Sequence, residues 1–242
     1  MTVVTNWALD LRGLSRVHPL MALRDALRQF DGKALSRAAD CSSTRKSCGV
    51  GKALGLATDC SGMGTPMMAL RNLGLQVNHL FACDVDRHAK ATIMANFPPQ
   101  KFYSDLRLRD NRRAPRASLY VAGFPCQPFS SAGTRQGFAD AQGRGTIFWQ
   151  VRDYISIQQP PVFLLENVKG LMFTGSGEYF RAILQSLKAL GTYNIYHELL
   201  NTRDHGLPQN RPRVFIVGIL KAVDQGTFIF LRLCSCQASR HV

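Results

Sequence analysis

From Leu54 onward, short apolar runs alternate with stretches whose apolar residues recur at helical spacing. The runs "LGLATD" (54–59), "NHLFACD" (78–84), "KFYSD" (101–105), "SLYVAG" (118–123) and "PVFLLEN" (161–167) predict strands bounded by Gly, Asp and Asn. Helices are expected near 66–73, 86–96, 145–158 and 177–190. "YNIYHEL" (193–199) and "RVFIVGIL" (213–220) close the series as an antiparallel strand pair. Strands that alternate with helices of this length imply an α/β fold: a mostly parallel, doubly wound sheet covered on both faces. Ligands bind such sheets beyond the carboxyl ends of the strands. Ahead of this pattern, residues 1–52 read as an appendage. Leu20, Leu23, Leu27 and Phe30 share one helical face there, and "DCSSTRKSCGVGK" reads as a linker.

The chain of 242 residues suits one sizeable domain. Its net charge of +14 favours polyanionic partners, nucleic acid before anionic membrane. No apolar run reaches the ~18 residues of a membrane span. Asp10, Asp25, Asp31 and Asp40 weigh against an organelle transit peptide. Seven scattered cysteines without a Cys-x-x-Cys pair argue against a zinc site and for free thiols in a reducing compartment.

Candidate chemistry gathers at the strand ends. In "ATDCSGMGTPMMAL", Gly62 and Gly64 allow a tight turn and close backbone approach to a ligand. The third glycine of a dinucleotide fingerprint is absent, which disfavours a pyrophosphate. Asp84 and Asp105 end the next two strands, placed to accept from ribose hydroxyls and an adenine amino group, although strand-end turns also favour Asp. S-adenosylmethionine fits this set better than a dinucleotide. Cys126 lies between Pro125 and Pro128 in "GFPCQPFS", either as a nucleophile or as an inert thiol in a shaped turn. Glu166 follows four apolar residues, which is costly for a carboxylate unless it is paired or functional. Arg211 and Arg213 precede the last strand. Together these groups suit attack of a thiolate on cytosine C6, with a carboxyl at N3 and an arginine at O2.

At "GFPCQPFS", "LLENVKG" and "QNRPRVFIVG", in that order, the chain resembles the cytosine-C5 DNA methyltransferases, from about Leu56 to Leu220. "FACDVDRHA" and "RGTIFWQ" look like further motifs of that family. The resemblance implies the Rossmann-like S-adenosylmethionine-dependent methyltransferase fold, with a catalytic domain at 53–222 and a tail at 223–242. It implies Cys126 as the attacking thiol, with Pro125 fixing its backbone. Glu166, Asn167, Arg211 and Arg213 would hold the base and the loop. Asp59, Ser61, Gly62 and Gly64 would line the methionine part of the cofactor. Asp84 would take the ribose, Val85 pack beside adenine, Asp105 take the amino group, and Thr146 and Ile147 close the pocket. Ser130 to Gly137 would fold over a flipped base.

The implied partner is double-stranded DNA with its cytosine extruded. The implied location is the nucleus of a eukaryote, or otherwise the cytoplasm or nucleoid. Two residues depart from the family: Cys60 stands where Phe is usual and Asp84 where Glu is usual. Nothing in residues 221–242 matches the family's recognition region or final helix. The expectation is therefore a shortened chain, completed by a second chain or inactive and merely binding. RNA methylation is the further alternative, and a thiol hydrolase stands far behind.

Overall fold

The computed structural model describes residues 53–125 and 147–230. The helix expected around Leu20–Phe30, together with Cys126, Ser130 to Gly137, Thr146 and residues 231–242, lies outside the described residues.

Seven strands form one sheet: β1 Leu54–Asp59, β2 Val77–Cys83, β3 Lys101–Tyr103, β4 Leu119–Ala122, β5 Val162–Val168, β6 Tyr193–Asn201 and β7 Pro212–Leu220. Their order is β3-β2-β1-β4-β5-β7-β6. All neighbours from β3 to β5 pair in parallel, and β7 runs antiparallel to both β5 and β6. Helices α1 Thr65–Asn72, α2 Arg87–Asn96, α3 Ile147–Gln158 and α4 Glu178–Lys188 supply four of the crossovers. Between β3 and β4 the chain forms only the 3-10 turn Leu106–Leu108 and an irregular stretch. The expected α/β fold with its terminal antiparallel pair is therefore the observed one.

Why these segments take these states is local. Phe163 and Leu165 of β5 are fully buried on one face and Val162 nearly so on the other, so this strand reads as a continuous apolar run. Helix α2 starts where the Asp86 carboxylate accepts the backbone N–H groups of His88 and Ala89, at 2.6 and 3.2 Å, a cap worth about 1 kcal/mol. Strand β3 stops two residues early because Asp105 caps the following 3-10 turn through the Arg107 N–H. Two apolar cores flank the sheet. The larger packs α3 and α4, through Phe148, Val151, Ile183 and Leu187, against β4 and β5. The smaller packs Met67 and Leu70 of α1 with Leu56, Leu119, Val162 and Val217.

One boundary moves. Residues 223–230, expected to belong to a tail, return over the smaller core, where Phe228 and Phe230 pack. The Phe228 ring lies 5.1 Å from that of Tyr196. Asp224 fixes this return by accepting from Asn194 Nδ2 at 2.6 Å and the Tyr196 hydroxyl at 2.7 Å. The packed unit thus passes residue 222 because its aromatic residues have apolar surface to cover.

His79 of β2 is 5% exposed, with Nδ1 2.9 Å from the Phe97 carbonyl and Nε2 3.4 Å from the Thr58 hydroxyl. Burial pushes its pKa below the ordinary value, so folding favours the neutral ring. Stability from this group is present above the unfolded pKa of ~6.5 and is lost as pH falls through the lower folded value. Urea unfolding followed from pH 8 to pH 5 is expected to show this loss. His79→Gln should flatten part of the slope, and His205, also depressed by burial, supplies another part.

Candidate active site

The strand order reverses between β1 and β4, and the carboxyl ends of the parallel strands open onto one edge of the sheet. At the end of β1 the backbone turns through left-handed residues, Cys60 (φ 51°), Gly62 (φ 54°) and Gly64 (φ 79°). A side chain at Gly64 would also collide, since its Cβ would lie 2.9 Å from the Phe97 ring. The turn is tied to β2. Ser61 N–H donates to the Cys83 carbonyl at 3.0 Å, and Gly62 N–H donates to Asp84 Oδ2 at 2.8 Å. Asp84 Oδ1 accepts Asp86 N–H at 2.9 Å. Asp105 accepts Arg107 Nε and Nη2, at 3.0 and 2.7 Å, and this guanidinium holds its carboxyl below the usual range.

Three expected cofactor contacts sit behind the surface instead. Asp59 is 1% exposed, and its two oxygens accept Arg109 Nη1 and Nη2 at 2.6 and 2.7 Å. Burying that charge requires such a partner. The Ser61 hydroxyl is buried among Thr58, the Cys83 carbonyl and the Cys83 N–H. Ile147 opens α3 within the larger core.

What reaches the surface is Asp84 and Asp105, both half-buried, and Val85, 73% exposed, beside the turn that the buried Gly62 and Gly64 shape. These groups fit an adenosine moiety: acceptors for hydroxyl and amino groups, an apolar side chain for a ring, and a turn at Cys60–Gly64 without a cation for phosphate. Among the described residues no cluster of three His, Cys, Asp or Glu side chains could hold a metal ion.

The other half of the edge is built by β4, β5 and β7. Glu166, on β5, is 7% exposed, and Arg213 Nε lies 2.9 Å from its Oε1. Burial raises the Glu166 pKa, outweighing the opposing pull of Arg213 and Arg211. Asn167 Nδ2 donates to the Phe124 carbonyl at 3.2 Å and its Oδ1 accepts Val168 N–H at 2.9 Å, fixing the backbone that leads into Pro125. Arg213 pairs in register with Val168, so the start of β7 meets the end of β5. Arg211 is held by its N–H, which donates to Asn201 Oδ1 at 2.8 Å. The structure thus brings Pro125, Glu166, Asn167, Arg211 and Arg213 to one edge, and Cys126 is the next residue after Pro125. Sequence reasoning passed over Arg109, Asn111 and Tyr120. Arg109 stands in "RLRDNRRAPR", where nothing distinguishes it from surface charge.

The sheet order, with its one reversed strand inserted before the last, and the acids closing β2 and β3 define the fold class of the S-adenosylmethionine-dependent methyltransferases. Two solved structures share it. A prophage protein of E. coli, described as a DNA modification methyltransferase, superposes with a TM-score of 0.57 at 25% identity, over 71% of this chain and 48% of that one. The Dnmt2 methyltransferase of S. pombe gives 0.55 at 21% identity, over 70% and 50%.

Residues 59–231 match the family model of the C-5 cytosine-specific DNA methylases, and the chain belongs to that family. It is 42% identical over 158 residues to the Type II methyltransferase M.NgoBI of Neisseria gonorrhoeae, covering 65% of this chain and 48% of that protein. It is 38% identical over 160 residues to M.NlaX of Neisseria lactamica, covering 66% and 50%. The chain spans about half the length of the curated relatives it matches.

Proposed function

We propose that this chain carries the reacting half of a DNA cytosine-C5 methyltransferase, in which the Cys126 thiolate adds to C6 of an extruded cytosine. The observation that carries the reading is Glu166: a buried carboxyl with a raised pKa, 2.9 Å from Arg213, at the strand end joined through Asn167 to the backbone before Cys126. A carboxyl of this kind keeps a proton to higher pH than an ordinary glutamate and offers it to N3. That proton offsets the charge arriving when the S–C6 bond forms and the C5=C6 electrons move to the ring. Arg213 donates to O2 and keeps Glu166 in place. Asn167 fixes the approach of Pro125, and so the direction from which the thiol attacks. S-adenosylmethionine, when bound, supplies the electrophilic methyl group that the activated C5 takes. Loss of the C5 proton to solvent then restores the double bond and expels the thiolate, and N3 returns its proton to the Glu166 carboxylate.

Gly62, Gly64, Asp84, Val85 and Asp105 would hold the cofactor. The basic chain suits DNA, and the target base must leave the duplex to enter a closed site. The other half of the relatives' length, supplied by further polypeptide, would aim the site at its sequence.

DNA carrying 5-fluorocytosine tests this, because the fluorine at C5 cannot leave as a proton does. With S-adenosylmethionine, the parent chain is expected to form an adduct that survives denaturing electrophoresis, and Cys126→Ser to form none. An adduct that persists in Cys126→Ser overturns the nucleophile. Calorimetric binding of cofactor with no adduct in the parent overturns turnover and leaves a binding protein.

A further inference from the structure

The Asp59–Arg109 pair is the most deeply placed charge in the described structure, and the chemistry above does not use it. Both side chains are 0% exposed. The Tyr120 hydroxyl donates to Asp59 Oδ2 at 2.5 Å, and Arg109 Nε donates to Asn111 Oδ1 at 2.9 Å. The guanidinium carbon stands 4.7, 5.3 and 5.2 Å from the ring centroids of Phe81, Tyr103 and Tyr154. Asn111 passes the network on to α3 through Asp153 Oδ2 at 2.8 Å. Burying two charges gives little net stability, and well-packed apolar residues of similar volume often do as well or better. A pair this completely satisfied is therefore explained by what it holds in place.

It holds a ring of contacts. Asp59 is followed directly by the left-handed Cys60 that opens the glycine turn. Arg109 ends the 3-10 turn that Asp105 caps. Gly62 is bonded to Asp84, and Asp84 N–H donates to the Tyr103 carbonyl at 3.2 Å. The circuit Asp59–Arg109–Asp105–Tyr103–Asp84–Gly62 thus closes across the ends of β1, β2 and β3. No helix intervenes between β3 and β4 to brace this side. We infer that Asp59 and Arg109 are positioning residues that set the spacing between the glycine turn and the Asp105 wall before ligand arrives. The inference rests on the reading of that edge as the adenosine site. Pre-set geometry of this kind raises affinity by lowering the ordering that binding requires.

The test uses the full chain carrying Asp59→Leu and Arg109→Met together, which replaces the pair by apolar residues of similar size. Three readouts are taken: cooperative thermal unfolding, calorimetric affinity for S-adenosylhomocysteine, and amide exchange at residues 60–64 and 105–108. The double variant is expected to unfold as cooperatively as the parent, at a similar temperature. It should bind about tenfold more weakly and exchange about tenfold faster at both segments. Affinity within twofold of the parent, with unchanged exchange, overturns the inference and leaves the pair a packing feature. If the double variant does not fold, Arg109→Lys keeps a cation on Asp59 while breaking the paired bonds. Faster exchange and weaker binding in that variant support the inference, and parental values overturn it. A parent chain that binds no S-adenosylhomocysteine removes the adenosine reading alone, since the exchange comparison still decides the coupling.

Discussion

Gly218→Ala is expected to remove a large part of the folding stability of this chain. A Cβ at Gly218 would lie 2.1 Å from both Cε1 and Cζ of Phe163, and 2.8 Å from Cδ1. Neither side can yield cheaply. Phe163 is fully buried, with its ring 5.0 Å from that of Tyr193. Gly218 is paired in register with Phe163 on β5 and with Ile195 on β6, so its backbone is held from both sides. Overpacking of a dense core costs about 1–3 kcal/mol, and this overlap is at or beyond the upper end. That is a large part of the ~5–15 kcal/mol that a domain has. Urea denaturation of the alanine variant checks the expectation, and adding Phe163→Leu should recover part of the loss by vacating the ring. A loss below about 1 kcal/mol would falsify the packing argument.

Glu166→Gln is expected to reduce methyl transfer by roughly 10²–10⁴-fold while leaving cofactor affinity near the parental value. The amide has the same shape and can still accept from Arg213, but it has no proton to give to N3. The pH dependence separates this from a general loss of structure. Burial raises the Glu166 pKa, so the folded state binds this proton more tightly than the unfolded chain does. Stability from the group is therefore fullest below the unfolded pKa and declines as pH rises through the folded one. Glutamine removes that decline, so the variant should be as stable as the parent at neutral pH, or more so, while turning over far more slowly. The parental rate should carry a limb that falls with rising pH, and the variant should lack it. Initial rates on cytosine-containing duplex, beside urea unfolding at matched pH, give both measurements.

Much of this was legible in the chain because period and burial agree. β1 and β5 are apolar runs lying inside a parallel sheet, and the turn residues around them mark their ends. Glu166 could be singled out because a carboxylate closing "FLLE" conflicts with burial unless something compensates it. The partner of Asp59 was not legible. Arg109 stands 50 residues away, in a segment whose five arginines read as solvated charge, and no local rule says which of them turns inward. Gly218 looked like an ordinary strand residue, because the Phe163 ring that excludes a side chain comes from another strand. The Phe228–Phe230 return was hidden for the same reason: two aromatics after a strand pack only if tertiary structure leaves a surface for them.

The position of β7 has a kinetic consequence. It is the last described strand to be synthesised, yet it lies between β5 and β6 rather than at the margin. While the chain is emerging, β5 presents an unpaired edge and β6 has no neighbour, and both wait for residues 212–220. Inserting one nine-residue strand then satisfies both edges at once. The same event delivers Arg213 to Glu166, so a nascent chain displays its buried acid without a counter-ion until the final strand is threaded in. Completion of the sheet and pairing of Glu166 with Arg213 are one step, and a pause in translation before residue 212 would hold the molecule with unpaired edges at β5 and β6 and without that ion pair.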